Sequence, residues 1–504
     1  MTTFSIQPTG QSVIAGQPTA GDGDAFSATD PRTGEALTPS YTTVGFDQLD
    51  DAVTAAVEAL ADPIDMAAIA EGLEAAADAF EAAADVVVAT ADAETALGET
   101  RLRGELGRTV GQLRMMATEA RTGSRRDVVV DPAGDGPAAP ALHRTTVPLG
   151  VVAVFAASNF PLAFGVAGTD TAAALGAGCP VVAKAHPAQP ATAELCGRLL
   201  ADGLRSAGLA EGMISVLHEG GHEVGQALVT HPDVDAVAFT GSLRGGRALF
   251  DLAATRPRPI PVYAEMGSLN PLVVSAGAAA DVAGMVEGIS GSYLLGEGQF
   301  CTKPGLIVLP DDDNGRAVLT GLSDALGDRT PGHPLLHGGI VSGFVEGLDR
   351  AAAVDGVEVV RAPDADGGCA AAVLSTDAAT FVDEPVLRDE VFGPATLVVL
   401  AREEELDEVV DAFEPALTAS LHFTPEESSW ARSMADRLAR KVGRVIANGY
   451  PTGVRVSPGQ HHGGPYPATT APLHTSVGLA AIDRFRRPVA FQSFSDDALP
   501  TWAQ

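Results

Sequence analysis

Lysine is nearly missing from this chain. Only Lys184, Lys303 and Lys441 occur in 504 residues, against 65 aspartates and glutamates, and the formal net charge is −33. A field of that sign repels polyphosphates and anionic lipid, which excludes nucleic acid and a charged membrane surface as partners. The acid is spread along the whole chain rather than gathered in a tail, so it speaks for an acidic, Ala- and Gly-rich proteome. Any anionic ligand must then be held locally, by an arginine, a lysine or a helix N-terminus. Cysteine is scarce as well. Cys179, Cys196, Cys301 and Cys369 show no metal-ligand spacing, so no zinc or other metal is expected, and the four read as free thiols of a reducing compartment. No run of eighteen apolar residues occurs, and the opening MTTFSIQPTG has neither a basic region nor an apolar core. Neither a membrane span nor a signal peptide is expected, and the expected location is cytoplasmic.

What is present is a long chain with 46% hydrophobic residues, enough for two or three folded domains. Residues 45 to 125 carry alanines and leucines at three- and four-residue spacing and read as helical scaffold. From 147 the pattern changes to short apolar runs, VPLGVVAVFAA, CPVVAKAH, MISVLHEG and VDAVAFTGS, separated by amphipathic helical segments. That alternation predicts a parallel sheet covered on both faces, the architecture of nucleotide-binding folds. A second α/β region follows from about 268 to 446, with NPLVVSAGA, FGPATLVVLA and GRVIANG as strand candidates. The proline-rich stretch 125–147 and the tail DRFRRPVAFQSFSDD read as arms that add strands elsewhere, on a neighbouring subunit.

One cysteine stands apart. Cys301 lies in GEGQFCTKPG, where glycines at 296, 298 and 305 allow close backbone approach and Pro304 can neither continue a helix nor donate to a ladder. An accessible loop thiol is the expectation. Together, ASNFPLAF (157–164), VAKAHP (182–187), FTGS (239–242), EMGS (265–268), GQFCTKPG (298–305) and EVFGP (390–394) resemble the aldehyde dehydrogenase superfamily in order and spacing over nearly the whole chain. The closing segments ANGYPTGVRV, HHGGPYPATT and TSVGLAAIDRFRRPVAFQ are similar to the branch that oxidises α-ketoglutarate semialdehyde (2,5-dioxovalerate). The resemblance implies an α/β fold with a Rossmann-type cofactor domain (1–127 and 146–266), an α/β catalytic domain (267–447), an oligomerisation arm (128–145 and 480–504) and a substrate and anchor loop region (448–479). It also implies a homodimer or homotetramer acting on a small-molecule aldehyde.

The chemistry of such an oxidation asks for a soft nucleophile, donors for the alkoxide it creates, and a base to activate water on the resulting thioester. By resemblance these are Cys301, Asn159 together with the Cys301 backbone N–H, and Glu265. The apolar setting VYAEMGS predicts that burial raises the Glu265 carboxyl toward neutrality. Ser268 departs from the family's ELGG, which puts the local backbone geometry in question. For a nicotinamide cofactor, Gly241 and Ser242 open a helix whose first amides suit a pyrophosphate. Lys184 reaches the adenosine ribose and Glu390 the nicotinamide ribose, with Phe392 beside it. NAD-preferring members carry an acid three positions after the lysine. Here that residue is Pro187, so NADP is favoured over NAD, with Lys184 and His186 available to the extra phosphate.

The distal end of the substrate is less determined. The two places that hold arginines in succinate semialdehyde dehydrogenases are Ala167 and Leu295 in this chain. Arg108, Gln112 and Arg114 of GRTVGQLR, and Arg455 of PTGVRVSPG, are the remaining candidates for a carboxylate clamp. Adjacent His461 and His462, in a Gly-rich loop without neighbouring carboxylates, are given no role. Two other readings compete: a dehydrogenase for another short or carboxylated aldehyde, and a cofactor-independent thiol hydrolase. Against the hydrolase stands the absence of a histidine near the thiol in sequence. A silent oligomeric scaffold would have no use for Cys301, Glu265 and Asn159 together.

Overall fold

Short apolar runs bounded by turn residues become the parallel strands of two sheets. The computed structural model describes residues 6–135, 139–327, 332–363 and 369–503; positions 136–138 of the expected arm lie outside them. The first sheet contains β1 (Ser12–Ile14), β2 (Gln17–Thr19), β3 (Val152–Phe155), β4 (Val181–Lys184), β5 (Ile214–Leu217), β6 (Ala236–Thr240) and β7 (Val262–Glu265), in the order β7-β6-β3-β4-β5-β1-β2. Strands β3 to β7 are parallel, and β1 and β2 close one edge antiparallel. Alternate residues feed two different cores. Val152, Val154, Val181 and Ala183 join one apolar cluster, while Ala153, Val182, Leu217 and Val237 join another. Burial on both faces is why these strands read as continuous hydrophobic runs.

The second sheet is built the same way. Its strands are β8 (Leu272–Val274), β9 (Leu306–Pro310), β10 (Glu358–Arg361), β11 (Ala372–Asp377), β12 (Ala395–Ala401), β13 (Ala416–His422) and β14 (Val442–Ala447), in the order β10-β11-β12-β9-β8-β13-β14 with only β10 antiparallel. In the first sheet the chain runs outward through β3, β4 and β5, then returns to lay β6 and β7 on the other side of β3. The carboxyl ends of β3 and β6 therefore flank the reversal of strand order, where open α/β sheets bind ligands. Asn159 follows β3, Lys184 ends β4, Ser242 follows β6 and Glu265 ends β7. The Cys301 loop leads into β9 and Glu390 precedes β12, so both sheets contribute to one place.

Two further features frame it. Leu142–Pro148 pairs antiparallel with Arg486–Gln492 and with Val129–Asp131 to make a separate three-stranded sheet. Its ladder carries the arm past position 145, and Val128, Val129 and Val130 on its outer edge are exposed. The segment after β14 is strapped to β7: Thr469 bridges Glu265, the Met266 N–H donates to the Ala468 carbonyl (2.8 Å), and the Thr470 N–H donates to that of Ala264 (3.1 Å). No helix among the described residues is long and apolar enough to cross a membrane.

Candidate active site

The loop before Cys301 is held in an unusual backbone. Gly296, Glu297 and Gly298 all have positive φ (58°, 55° and 66°). A Cβ on Gly298 would stand 2.0 Å from the Gly393 carbonyl oxygen, so glycine is required there by conformation and by space. Glu297 holds its left-handed position with a buried carboxylate that accepts from the Gly332 N–H at 2.7 Å. From beneath, the fully buried Asn270 staples the loop. Its Nδ2 donates to the carbonyls of Cys301 (2.8 Å), Lys303 (2.9 Å) and Ser268 (3.1 Å). Ser268 completes the staple, donating to Asn270 Oδ1 (2.8 Å) and accepting from the Leu417 N–H (2.9 Å). The serine thus reinforces the local geometry that its departure from ELGG had placed in question.

Around the partly buried thiol lie two groups that the fold brings from far away in sequence. His462, 1% exposed, has its Nε2 3.7 Å from Cys301 Sγ and 2.9 Å from Glu265 Oε1. Ser476 donates to the other oxygen of Glu265, which is 3% exposed. Thr475 Oγ1 accepts from the His462 backbone N–H at 2.9 Å and sets the imidazole in place. The expectation of a raised Glu265 pKa is corrected here. Burial does push that carboxyl up, but His462, through the proton it presents at Nε2, and hydrogen bonds from Ser476 and Cys301 outweigh it, and the net shift is downward. Burial and the neighbouring Glu265 carboxylate instead push the Cys301 thiol well above its ordinary range, with Arg108 offsetting only part. The resting pair is therefore carboxylate and thiol. His462 also corrects two sequence arguments, since it does have a carboxylate beside it and does stand next to the thiol. Thiol, imidazole and carboxylate atoms lie within 4.8 Å of one another, a spacing that can share a proton or a soft divalent ion; the bonds already made among them favour the proton.

Asn159 is positioned from two sides. Its Nδ2 donates to the Gln299 carbonyl (3.0 Å), leaving a second hydrogen, and its backbone carbonyl accepts from Arg101 (2.7 Å). The Arg101 guanidinium itself lies 4.9 Å from the ring centres of both Phe160 and Phe300, which meet edge to face. At the helix expected to meet the pyrophosphate, Ser242 caps Leu243–Ala254 by accepting from the Gly245 N–H (3.1 Å), with Gly241, Ser242 and Arg244 exposed at its mouth. The Gly241 N–H donates to the Glu265 carbonyl (3.0 Å). Glu390 lies over Gly267, where a Cβ would meet its Oε2 at 2.4 Å. Burial raises Glu390 and lowers Lys303, each partly offset by the other. Lys303 donates to the carbonyls of Val391 (2.7 Å), upstream of β12, and Ala395 (2.8 Å), its first residue. Phe392 is half-buried between them.

The Aldehyde dehydrogenase family model matches residues 19–465. The chain belongs to the aldehyde dehydrogenase family. It is 43% identical to alpha-ketoglutaric semialdehyde dehydrogenase 2 of Azospirillum brasilense, over 99% of this chain and 97% of that one. It is 37% identical to the alpha-ketoglutaric semialdehyde dehydrogenase of Acinetobacter baylyi, over 97% and 94%. Its fold is that of a putative aldehyde dehydrogenase from Burkholderia cenocepacia, with a TM-score of 0.82 over 98% and 99% of the two chains at 23% identity. It is an NAD(P)-dependent aldehyde dehydrogenase.

In this aldehyde dehydrogenase the surroundings of Lys184, the residue expected at the adenosine ribose, hold charges that the sequence reading did not include. Lys184 Nζ lies 3.8 Å from Glu219 Oε2, a buried carboxylate that also accepts from the Val224 (2.7 Å) and Gly225 (3.0 Å) N–H groups. Burial, reinforced by His337, Lys184 and His222, holds His186 well below the ordinary histidine range. His186 can offer a hydrogen bond there and not a charge. On the substrate side, Arg108 lies with its guanidinium 5.0 Å from the ring centre of Phe164, and its Nε and Nη2 are buried without a hydrogen-bond partner. Gln112 is buried, with Nε2 donating to the Ala163 carbonyl (3.4 Å) and Oε1 accepting from Thr169. Arg114 faces outward in ion pairs with Asp78 (2.8 Å) and Glu81 (2.7 Å), and Arg455 is exposed. Ala167 is fully buried and Leu295 exposed. Asn270, Arg101, His462 and Ser476 were not found from sequence. Arg444, also missed, bonds the carbonyls of Pro451 (2.9 Å) and Gly453 (3.2 Å), close enough for the charge on Cys301 to act on it.

Proposed function

We propose that this enzyme oxidises α-ketoglutarate semialdehyde to α-ketoglutarate through a thioester on Cys301. The sulfur attacks the aldehyde carbon, and the second Asn159 Nδ2 hydrogen and the Cys301 backbone N–H receive the alkoxide. Nicotinamide, when bound, supplies the two-electron acceptor; Gly241 and Ser242 suit its pyrophosphate, Lys184 and Glu390 its riboses, with Phe392 alongside. Glu265 then activates the water that cleaves the thioester and frees the thiol.

The observation that carries the substrate choice is the Arg108 guanidinium, half-buried near the thiol with Nε and Nη2 unpartnered. A buried charge left so is costly unless a ligand satisfies it, and a carboxylated aldehyde would do so. Gln112 serves the loop above it instead, and Arg455 is left to solvent. A steady-state panel of aldehydes tests the reading. α-Ketoglutarate semialdehyde should exceed acetaldehyde in kcat/KM by about tenfold or more, the worth of one charge-assisted contact of roughly 1.5–3 kcal/mol, and Arg108→Met should narrow the gap. An unchanged gap would remove Arg108 from the site, and no gap would favour another short aldehyde.

For the cofactor we infer that NADP serves at least as well as NAD, because Pro187 places no acid beside the ribose. A second reading rests on Glu219, which lies by Lys184 and would take the ribose hydroxyls and repel a 2′-phosphate. Comparing kcat/KM for both cofactors in wild type, Pro187→Glu and Glu219→Gln separates the two. The exposed valines of the arm's edge strand support pairing with another copy, as a homodimer or homotetramer, and four cysteines outside any disulfide suit a cytoplasmic setting.

A further inference from the structure

The proton inventory of the Cys301 cluster leaves one group without a task. His462 presents a single atom, Nε2, to two neighbours at once: Glu265 Oε1 at 2.9 Å and Cys301 Sγ at 3.7 Å. Its other nitrogen, Nδ1, is buried with no partner. A proton on Nδ1 would be stranded, whereas on Nε2 it has two acceptors, so the ring proton belongs on Nε2 and Nδ1 is a bare lone pair. The histidine in that form is a donor and not a base.

We propose that the Nε2–H of His462 is a shared donor that passes from the Glu265 carboxylate to the Cys301 sulfur as the thiol ionises, which makes His462 a catalytic residue of thiol activation. The proposal rests on the reading of Cys301 as nucleophile and Glu265 as base. In the resting state the carboxylate accepts from His462, Ser476 and the thiol. When the S–H bond breaks, the proton goes to Glu265 and the electron pair stays on sulfur. The negative charge has then moved from oxygen to sulfur with no change in the cluster's net charge. His462 needs only to retarget its N–H across the same atom to form a charge-assisted bond to the thiolate, while Ser476 keeps Glu265 in place. The other charged groups acting on the sulfur are Arg108 and Arg444, which favour the thiolate, and Glu390, which opposes it. Lys303 is committed to backbone carbonyls, and His461 lies beside His462.

The test is the pH dependence of Cys301 alkylation by iodoacetamide in the full-length enzyme, read at that residue by peptide mass spectrometry, with NADP affinity measured alongside. His462→Phe should slow alkylation near pH 7.5 about tenfold and move the profile up by about one pH unit, slow the first turnover in step, and leave NADP binding unchanged. His462→Gln, which retains an N–H, should recover most of that loss. A His462→Phe profile that superimposes on wild type, or a glutamine variant no better than phenylalanine, would overturn the proposal. Should neither variant fold, the ¹⁵N shifts of His462 in the wild type decide it: a protonated Nε2 with a bare Nδ1 supports it, and the opposite tautomer overturns it. Turnover by Cys301→Ala would instead sink the nucleophile reading, whatever His462 does.

Discussion

Replacing Asn270 by aspartate would change almost nothing in shape and reverse one half of its hydrogen bonding. The Oδ1 side can still accept from Ser268 (2.8 Å) and Thr418 (3.1 Å). In the wild type the Nδ2 side serves the Cys301, Lys303 and Ser268 carbonyls at 2.8, 2.9 and 3.1 Å with two N–H bonds, and a protonated carboxyl has one O–H for all three. At least one buried carbonyl is then orphaned, a loss of roughly 1–3 kcal/mol. Ionising the carboxyl would be worse, because a charged oxygen would face three carbonyl oxygens. The folded-state pKa is therefore raised above the ordinary value of about 3.9, the folded form holds its proton longer than the unfolded form, and stability falls as pH rises between the two values. Each pH unit in that window costs about 1.4 kcal/mol, so pH 5.5 to 7.5 adds up to about 2.7 kcal/mol. For a chain of 504 residues this corresponds to roughly 1 °C of Tm per kcal/mol. Paired thermal melts of wild type and Asn270→Asp should show a deficit that widens by about 2–3 °C over that interval. A deficit equal at both pH values, or none at all, would refute the account of Asn270 as the staple of the thiol loop.

Glu265→Gln should slow the first-turnover phase as well as steady-state turnover, since Glu265 faces the thiol as well as the hydrolytic water; stopped-flow that still shows a full-rate burst of reduced cofactor would confine the residue to hydrolysis. Gly298→Ala should lower kcat far more than it weakens cofactor binding, because a Cβ 2.0 Å from the Gly393 carbonyl displaces the loop, and a left-handed alanine adds about 1 kcal/mol of strain. Wild-type kcat in that variant would show that the loop does not need its present backbone.

The central strands were readable because they are buried on both faces, which leaves an apolar run that no exposed residue interrupts; CPVVAK and VDAVAFT are legible for that reason. The thiol loop was readable from its glycines, which the positive φ values explain. His462 was not, because its partner Glu265 is 197 positions away and is brought to it by an isolated bridge to Thr469 that carries no periodic signature. The sign of the Glu265 shift was lost with it, since VYAEMGS records the apolar setting and none of the three donors. Arg114 could have been set aside from sequence. At 100° per residue it points about 240° around the helix from Arg108, while Gln112 returns to nearly the same face. Glu219 follows a different strand from Lys184, and nothing in AKAHP announces it.

The strap between β7 and residues 461–476 has a consequence for the life of the chain before it is complete. Both sheets are finished by residue 447, and the carboxylate at the end of β7 and the sulfur in the loop before β9 are then already made, but the imidazole and the serine hydroxyl that tie them into one network are not. A nascent polypeptide on the ribosome thus passes through a stage with nearly all of its architecture and an incomplete proton circuit. Until residues 461–476 are added, no imidazole is at hand to answer the charge that ionisation would leave on the sulfur.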